Sequence, residues 1–162
     1  MAQSRHSIEE LDDSFHGWDR LLNLLHVAFE PQKGRIDPPS SVYELDENSL
    51  RSKALEEHVF LATDRDLLVG CVFAKDTGNA VYLGKLAVLP EMQGRGIGRL
   101  LVERVAEYAK CCGRSVLELE TRIELIDNHQ TFEKYGFQKV SESAHPGYDH
   151  PTSIAMEKRL DA

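Results

Sequence analysis

Hydrophobic residues in the first third of the chain recur at the spacing of a helix face, in two segments separated by an irregular stretch. The first segment predicts an amphipathic helix over about 15–30. Its apolar positions are Trp18, Leu21, Leu22, Leu25 and Phe29. The stretch 30–41 contains a glycine and two successive prolines, which is typical of a loop. A second helix is predicted to begin near Asp46 or Asn48.

The rest of the chain contains short apolar runs rich in β-branched and aromatic residues, which predict strands. These runs cover 58–63, 67–73, 80–89, 116–121, 137 to about 143 and 152 to about 158. The turn at 64–66 joins the first two strands as an antiparallel hairpin, and 76–79 forms a second turn. Pro90 ends the third strand because proline cannot donate to a sheet ladder.

Two more helices are predicted between the later strands. The longer helix runs from 96 or 97 to about 112, and Gly113 ends it. Asp127 and Gln130 have the spacing of a capping box, so Asp127 is predicted to be the N-cap of a short helix that ends at Gly136. Antiparallel hairpins are therefore mixed with one strand–helix–strand crossover, which indicates a mixed α/β sheet.

Composition excludes several classes of protein. The 162 residues suit a single domain, and 41% hydrophobic with 28% charged residues is typical of a soluble protein. A net charge of −8 argues against nucleic-acid binding. The three cysteines form neither a disulfide framework nor a metal site. No apolar run approaches the roughly 20 residues of a membrane helix, and the first ten residues turn acidic where a signal peptide is apolar. We therefore expect a cytoplasmic protein without metal or membrane partner.

The strongest candidate for a binding site is a glycine-rich turn between a predicted strand and the long helix. It reads Gln93-Gly94-Arg95-Gly96-Ile97-Gly98. Glycines let backbone N–H groups approach a ligand closely, and a helix N-terminus carries unsatisfied donors and a partial positive charge. These features indicate an anion site suited to a pyrophosphate, to which Arg95 and Arg99 add positive charge.

Three other interpretations of this turn compete with the pyrophosphate site. A dinucleotide fingerprint requires G-x-G-x-x-G, and Arg99 stands where that spacing is broken. A nucleotide P-loop requires Gly-Lys-Ser/Thr, which the turn does not contain. A turn that binds nothing is the third, although three glycines at a helix start lower stability unless some interaction requires them.

Two motifs in this order resemble the GNAT superfamily of acyl-CoA-dependent N-acetyltransferases. The family's cofactor motif, Gln/Arg-x-x-Gly-x-Gly/Ala, is matched by Gln93, Gly96 and Gly98 after the strand end 86–88. The second motif is matched by the set Asn128, Phe132 and Gly136-Phe137. The likeness covers about 60–158 and implies a three-layer fold over 1–162, with a mostly antiparallel central sheet flanked by helices.

The resemblance implies that acetyl-CoA is the cosubstrate. Its pantetheine arm would run beside the strand at 86–88, and its pyrophosphate would contact the amides of 94–99. Asn128 would face the pantetheine or the thioester, or would instead cap its helix. The implied cofactor contacts are Leu86, Ala87, Val88, Gln93, Gly94, Arg95, Gly96, Ile97, Gly98, Arg99, Asn128, Phe132 and Tyr135.

The resemblance leaves the groups that move protons open. Phe132 stands where relatives often carry a tyrosine acid, so this chain lacks that acid. The nearby Tyr135 either replaces it or, as its position favours, is a core or surface tyrosine. The catalytic candidates are Tyr82, His145 and Tyr148. Tyr82 has the strand parity of Leu86 and would lie beside the cofactor, whereas the other two lie in the segment joining the last two strands.

The resemblance implies that the acceptor is a small primary amine, an amino-acid-like compound or a peptide amine, and the acidic net charge agrees with a cationic partner. Arg35 suits an acceptor carboxylate, Asp37 suits an amine, and Glu120 and Glu124 flank the opening of the sheet. The sequence leaves open whether the protein forms a homodimer. The main rival function is a degenerate acyl-CoA-binding regulatory module with little catalysis, and a nucleotide-dependent oxidoreductase is a more distant one.

Overall fold

The computed structural model describes residues 6–161, so residues 1–5 and 162 of the predicted domain lie outside the described part. The strands are β1 (His6–Glu10), β2 (His58–Asp64), β3 (Leu67–Asp76), β4 (Val81–Val88), β5 (Val116–Arg122), β6 (Gln138–Ser143) and β7 (Ser153–Arg159). The helices are α1 (Trp18–Phe29), α2 (Glu47–Glu56), α3 (Ile97–Cys111) and α4 (Ile126–Lys134). None of these helices is long and apolar enough to cross a bilayer.

The strands form a single sheet in the order β1-β2-β3-β4-β5-β7-β6. β4 and β5 pair in parallel, and the other neighbours in residues 6–161 pair antiparallel. Residues of α3 pack on one face of the sheet, in a core that includes Ile97, Leu101 and Leu83. The opposite face packs against α1 and α2 through residues such as Leu25 and Leu50. The predicted mixed, mostly antiparallel sheet between helices is confirmed.

The strand β1 was not predicted from the sequence. Its five residues include only one apolar side chain, Ile8, which packs against the core on the α3 side. The strand forms by main-chain pairing with β2, from His6 opposite Asp64 to Glu10 opposite Phe60. Backbone pairing leaves no hydrophobic pattern, so the sequence carried no signal for it.

The predicted capping box at Asp127 is wrong. α4 begins one residue before Asp127, and its N-cap is Leu125, whose side chain is buried. The Leu125 N–H donates to the carbonyl of Arg122 at 3.1 Å, which closes the turn after β5 and fixes where the helix starts. Burial of Leu125 therefore decides the helix start, and Asp127 lies in the first turn. Its negative charge there interacts favourably with the helix dipole and so stabilises the helix.

A β-bulge in β4 shifts the alternation of its side chains, so residues before and after the bulge do not follow one period-2 pattern. Ala87 pairs with Cys71, but Gly84 pairs with Phe73, so β4 holds one extra residue between these pairs. Lys85 lies in this stretch with a positive φ of 51°. Leu86 packs against the core on the α3 side. Because of the bulge, Tyr82 points to the opposite face, and the predicted shared parity of Tyr82 and Leu86 is wrong.

Candidate active site

The sheet opens between its two parallel strands. β4 and β5 pair only from Val81 opposite Leu117 to Leu83 opposite Leu119. Beyond these pairs lies a cavity of about 550 Å³, lined by both strands, by the loop before α2 and by the start of α4. This volume is in the range of small-molecule sites. The cavity is lined by residues from both faces of the sheet, so it passes through the opening.

The edge of β4 along this opening presents backbone groups that β5 no longer binds. The Leu89 N–H donates to the Val69 carbonyl at 2.9 Å, towards β3. Successive peptide groups of a strand point to opposite edges, so the Val88 N–H points towards the opening. The Val88 carbonyl accepts a bond from Gln93 Nε2 at 3.2 Å. An extended ligand can therefore add to β4 as a strand would.

The glycine turn that follows β4 forms a cradle at the start of α3. Gly94 and Gly96 have positive φ values of 79° and 83°, and a Cβ at either position would meet no atom within 4 Å. Gly96 is the N-cap of α3, and no side chain caps this end of the helix. The first amides of the helix are thus open to a ligand, and the helix dipole favours an anion there.

Tyr135 packs against the first turn of α3. A Cβ added at Gly98 would lie 2.9 Å from the Tyr135 hydroxyl oxygen, so a larger residue at this position forces the ring to move. The Arg99 guanidinium lies 5.0 Å from the centre of the Tyr135 ring, and its Nη2 donates to the Lys134 carbonyl at 3.5 Å. Burial raises the pKa of Tyr135, whereas the charge of Arg99 lowers it. These contacts place Tyr135 beside the cradle.

The loop between α1 and α2 closes the other end of the cavity and is fastened to the strand ends. The Asp37 N–H donates to Glu124 Oε2 at 3.0 Å. Arg122 donates to the carbonyls of Pro38 at 2.6 Å and Pro39 at 3.2 Å. These bonds hold the loop across the carboxyl end of β5, where the two parallel strands have diverged.

Comparison with known proteins decides the family. The acetyltransferase (GNAT) family model matches residues 18–137, which is more than half of the chain. The chain belongs to the GNAT acetyltransferase family. A curated relative, the IAA acetyltransferase of Azospirillum brasilense, is 34% identical over 130 residues, which are 78% of this chain and 82% of the relative.

Solved structures share this GNAT fold. An acetyltransferase from Streptococcus agalactiae superposes with a TM-score of 0.76 at 17% identity, covering 98% of this chain and 100% of the other. A GNAT acetyltransferase from Elizabethkingia anophelis, solved with acetyl-CoA bound, gives a TM-score of 0.69 at 17% identity, with the same two coverages of 98% and 100%.

The structure brings two of the three catalytic candidates of this GNAT domain to the cavity. Tyr82 lines it, and burial followed by the nearby charge of Glu120 raises the pKa of Tyr82 to about 12. With this pKa the Tyr82 hydroxyl keeps its proton at neutral pH. His145 also lines the cavity, and its backbone N–H donates to Thr152 Oγ1 at 2.9 Å. Its ring Nδ1 contacts the same hydroxyl.

The third candidate, Tyr148, lies beside the cavity and not in its lining. Its hydroxyl donates to Asp37 Oδ1 at 2.6 Å, and this bond raises the pKa of Tyr148. The bond joins the turn between β6 and β7 to the loop before α2. The Asp37 carboxylate, predicted to bind the acceptor amine, is thus hydrogen-bonded to Tyr148. Arg35, predicted to bind an acceptor carboxylate, is exposed and does not line the cavity.

Six of the predicted site residues line the cavity. They are Tyr82, Leu86, Glu120, Asn128, Phe132 and His145. The predicted residues of the cradle, from Gln93 to Arg99, lie outside this lining, at the start of α3. Sequence reasoning missed Lys85, which also lines the cavity. One signal was available, because a glycine followed by a lysine inside an apolar strand indicates a bulge.

Proposed function

We propose that this GNAT protein is an acetyl-CoA-dependent N-acetyltransferase whose acceptor is a primary amine of a small molecule or a peptide. The observation that carries the proposal is the opening between β4 and β5. It is lined from the α4 side by Asn128 and Phe132 and from the α2 side by Lys53 and Glu57. Such an opening lets a donor and an acceptor meet from opposite faces of one sheet.

The residues around the opening fit acetyl-CoA, which when bound supplies an acetyl group as a thioester. The uncapped start of α3 and the space above Gly94 and Gly96 suit its pyrophosphate. The free edge of β4 at Leu86 and Val88 suits the amide groups of its pantetheine arm. Asn128 and Phe132 line the cavity from the side of α4.

The acceptor side supplies groups for a proton and for developing charge. An alkylamine with a pKa near 10.4 is protonated at neutral pH and must lose a proton before it attacks. We assign this proton to the Glu120 carboxylate, which lines the cavity on β5. The Val88 N–H is the candidate donor to the oxygen on which negative charge develops. Tyr82, which stays protonated, is a second donor in the same cavity.

The rival function is a module that binds acyl-CoA and catalyses little. Phe132, which cannot donate a proton, favours that rival. Two observations favour the enzyme: a protonated Tyr82 in the cavity, and the acetyltransferase name of the Azospirillum brasilense relative. A thiol is moreover a tolerable leaving group without a strong acid, since its pKa is near 8.5.

The test measures thiol release from acetyl-CoA with a panel of amines, with mass spectrometry of the acetylated amine. Glu120→Gln is expected to lower kcat by about 100-fold or more while acetyl-CoA affinity is unchanged. Glu118→Gln is the matched control, because Glu118 lies two residues earlier on the same strand face and outside the cavity lining. Tight acetyl-CoA binding without any acetylated amine would favour the binding module.

A further inference from the structure

The cavity carries a charge opposite to that of the whole chain. The protein has a net charge of −8. The cavity lining nevertheless contains more cationic than acidic side chains. The cations are Lys53, Lys75, Lys85 and Arg122, and the carboxylates are Glu57 and Glu120. A positive cavity in an acidic protein indicates a ligand that carries negative charge.

The cations differ in how they are neutralised. Lys53 forms an ion pair of 2.6 Å with Glu57. Arg122 donates to two loop carbonyls. The Lys85 ammonium donates to Ser41 Oγ at 2.9 Å, and no carboxylate of the described chain lies within 4.0 Å of it. A hydroxyl carries no charge, so Lys85 is a half-buried cation without a direct ion pair, on which the carboxylates of Glu57 and Glu44 act only from a longer distance.

The backbone holds Lys85 in this place at a cost. Its positive φ of 51° is unfavourable for a residue with a Cβ, and residues in that region are kept where the surrounding structure requires them. The Lys85 side chain lines the cavity, and Ala87 two residues later is buried in the core on the same α1 and α2 side of the sheet. Burial lowers the pKa of Lys85, and the charge of Lys53 lowers it further.

The position of Lys85 separates it from the proposed cofactor cradle. Its contact Ser41 belongs to the loop before α2, and its charged neighbours Lys53 and Glu57 lie at the end of α2. The cradle and Tyr135 lie with α3 on the other face of the sheet. An anion at Lys85 is therefore part of the acceptor and not a phosphate of acetyl-CoA.

We propose that Lys85 binds a carboxylate of the acceptor, so that the substrate class is an amine that also carries a carboxylate, such as a free amino acid. This inference rests on the proposed function, and it names the class of its acceptor. One unpaired ammonium matches one negative charge. The carboxylates of Glu57 and Glu120 line the same cavity and disfavour a doubly charged phosphate. Glu120 is then left to face the amine of the same molecule.

The test compares the standard amino acids with their carboxamides in matched pairs. Each compound is assayed by thiol release and by the rise in thermal-unfolding midpoint with coenzyme A present, which reports binding without turnover. The free acid is expected to have a kcat/KM about 10- to 100-fold above that of its amide for the preferred side chain. The same pair is expected to differ in the shift of the midpoint.

Variants then test whether Lys85 causes the preference for the free acid over its amide. Lys85→Met is expected to remove the preference for the acid, with the amide and the acetyl-CoA affinity unaffected, and Lys85→Arg is expected to retain part of it. Ser41→Ala, a smaller change, is expected to reduce the preference. Lys110→Met is the control, because Lys110 is an exposed lysine outside the cavity lining, and its loss is expected to leave the preference intact.

Two results would overturn the inference. Equal turnover of acids and amides, or a preference that survives Lys85→Met, would show that Lys85 does not select the acceptor, while N-acetyl transfer itself would stand. Amino acids that neither react nor shift the unfolding midpoint would also refute it. If the unsubstituted protein does not bind acetyl-CoA, that result would instead refute the proposed function.

Discussion

Neighbouring glycines at the start of α3 meet different physical requirements. Gly94 and Gly96 have left-handed backbone conformations and open space where a side chain would point. Gly98 is helical, but the Tyr135 hydroxyl occupies the position next to its missing Cβ. The first two are therefore required by backbone conformation and, in our proposal, by the ligand, whereas the third is required by packing.

This difference predicts a coupling between positions 98 and 135. Alanine in a helix is normally more stable than glycine by about 0.5–1 kcal/mol. In Gly98→Ala that gain is expected to be lost, because the new methyl group displaces the Tyr135 ring from its place beside Arg99. In the Tyr135→Phe background the nearest ring atom is 3.8 Å away, so the gain is expected to return.

Urea denaturation of the two single variants and the double variant measures this coupling. The two effects are expected to be non-additive by roughly the helix-propensity difference, about 0.5–1 kcal/mol. Equal effects of Gly98→Ala in both backgrounds would mean that Tyr135 does not constrain this position.

At the scale of elements, the sequence predicted what is determined locally. The helix α3 and the cradle follow from glycines and an amphipathic pattern that lie together in the chain, and both predicted positions agree with the structure. The bulge in β4 depends on the register with β3, and the glycine before Lys85 is only a weak local sign of it. For this reason Tyr82 was assigned to the wrong face and Lys85 was missed.

Local motifs also failed where tertiary packing opposed them. Asp127 and Gln130 have the spacing of a capping box, but the helix starts two residues earlier than that spacing required, after the buried Leu125. By contrast, Asp46 caps α2 as its position suggested, since its side chain accepts from the Ser49 N–H at 2.7 Å. The second cap lies in an exposed loop where no buried residue competes.

The hydrogen bond between Tyr148 and Asp37 joins two loops, and its loss is expected to affect acceptor binding more than turnover. Tyr148→Phe is expected to raise the acceptor KM about 2- to 10-fold, since one hydrogen bond that orders the loop is lost. The kcat is expected to change little, because Tyr148 does not line the cavity. Hydrogen exchange in residues 33–41 is expected to become faster.

Asp37→Asn weakens the same bond, so the double variant is expected to resemble the single ones. Tyr43→Phe is a matched control, because the Tyr43 hydroxyl makes a longer bond of 3.4 Å to the His26 carbonyl, outside the cavity lining. A large loss of kcat in Tyr148→Phe, with loop exchange unchanged, would instead identify Tyr148 as a proton-transfer group.

At the scale of the molecule, the sheet separates the two substrates of the proposed reaction. The α3 face carries the cradle, and the α1 and α2 face carries Lys85 and the fastened loop. The divergence of β4 from β5 connects these faces. The net charge predicted a cationic partner, but the local charge of the cavity favours an acceptor that also carries a carboxylate.

The most direct test of the account is calorimetric titration with acetyl-CoA of the unsubstituted protein and a pair of variants at Gly96. Asparagine and aspartate tolerate a positive φ better than most residues, so Gly96→Asn and Gly96→Asp differ mainly in charge. Gly113→Asp is the control, since Gly113 has a φ of 74° at the far end of α3.

We expect acetyl-CoA to bind the unsubstituted protein and Gly113→Asp with roughly micromolar affinity. Gly96→Asp is expected to bind more than about tenfold more weakly than Gly96→Asn, because its carboxylate would face the pyrophosphate. Equal affinity of the two Gly96 variants, or no binding by the unsubstituted protein, would contradict the claim that this cradle holds the cofactor.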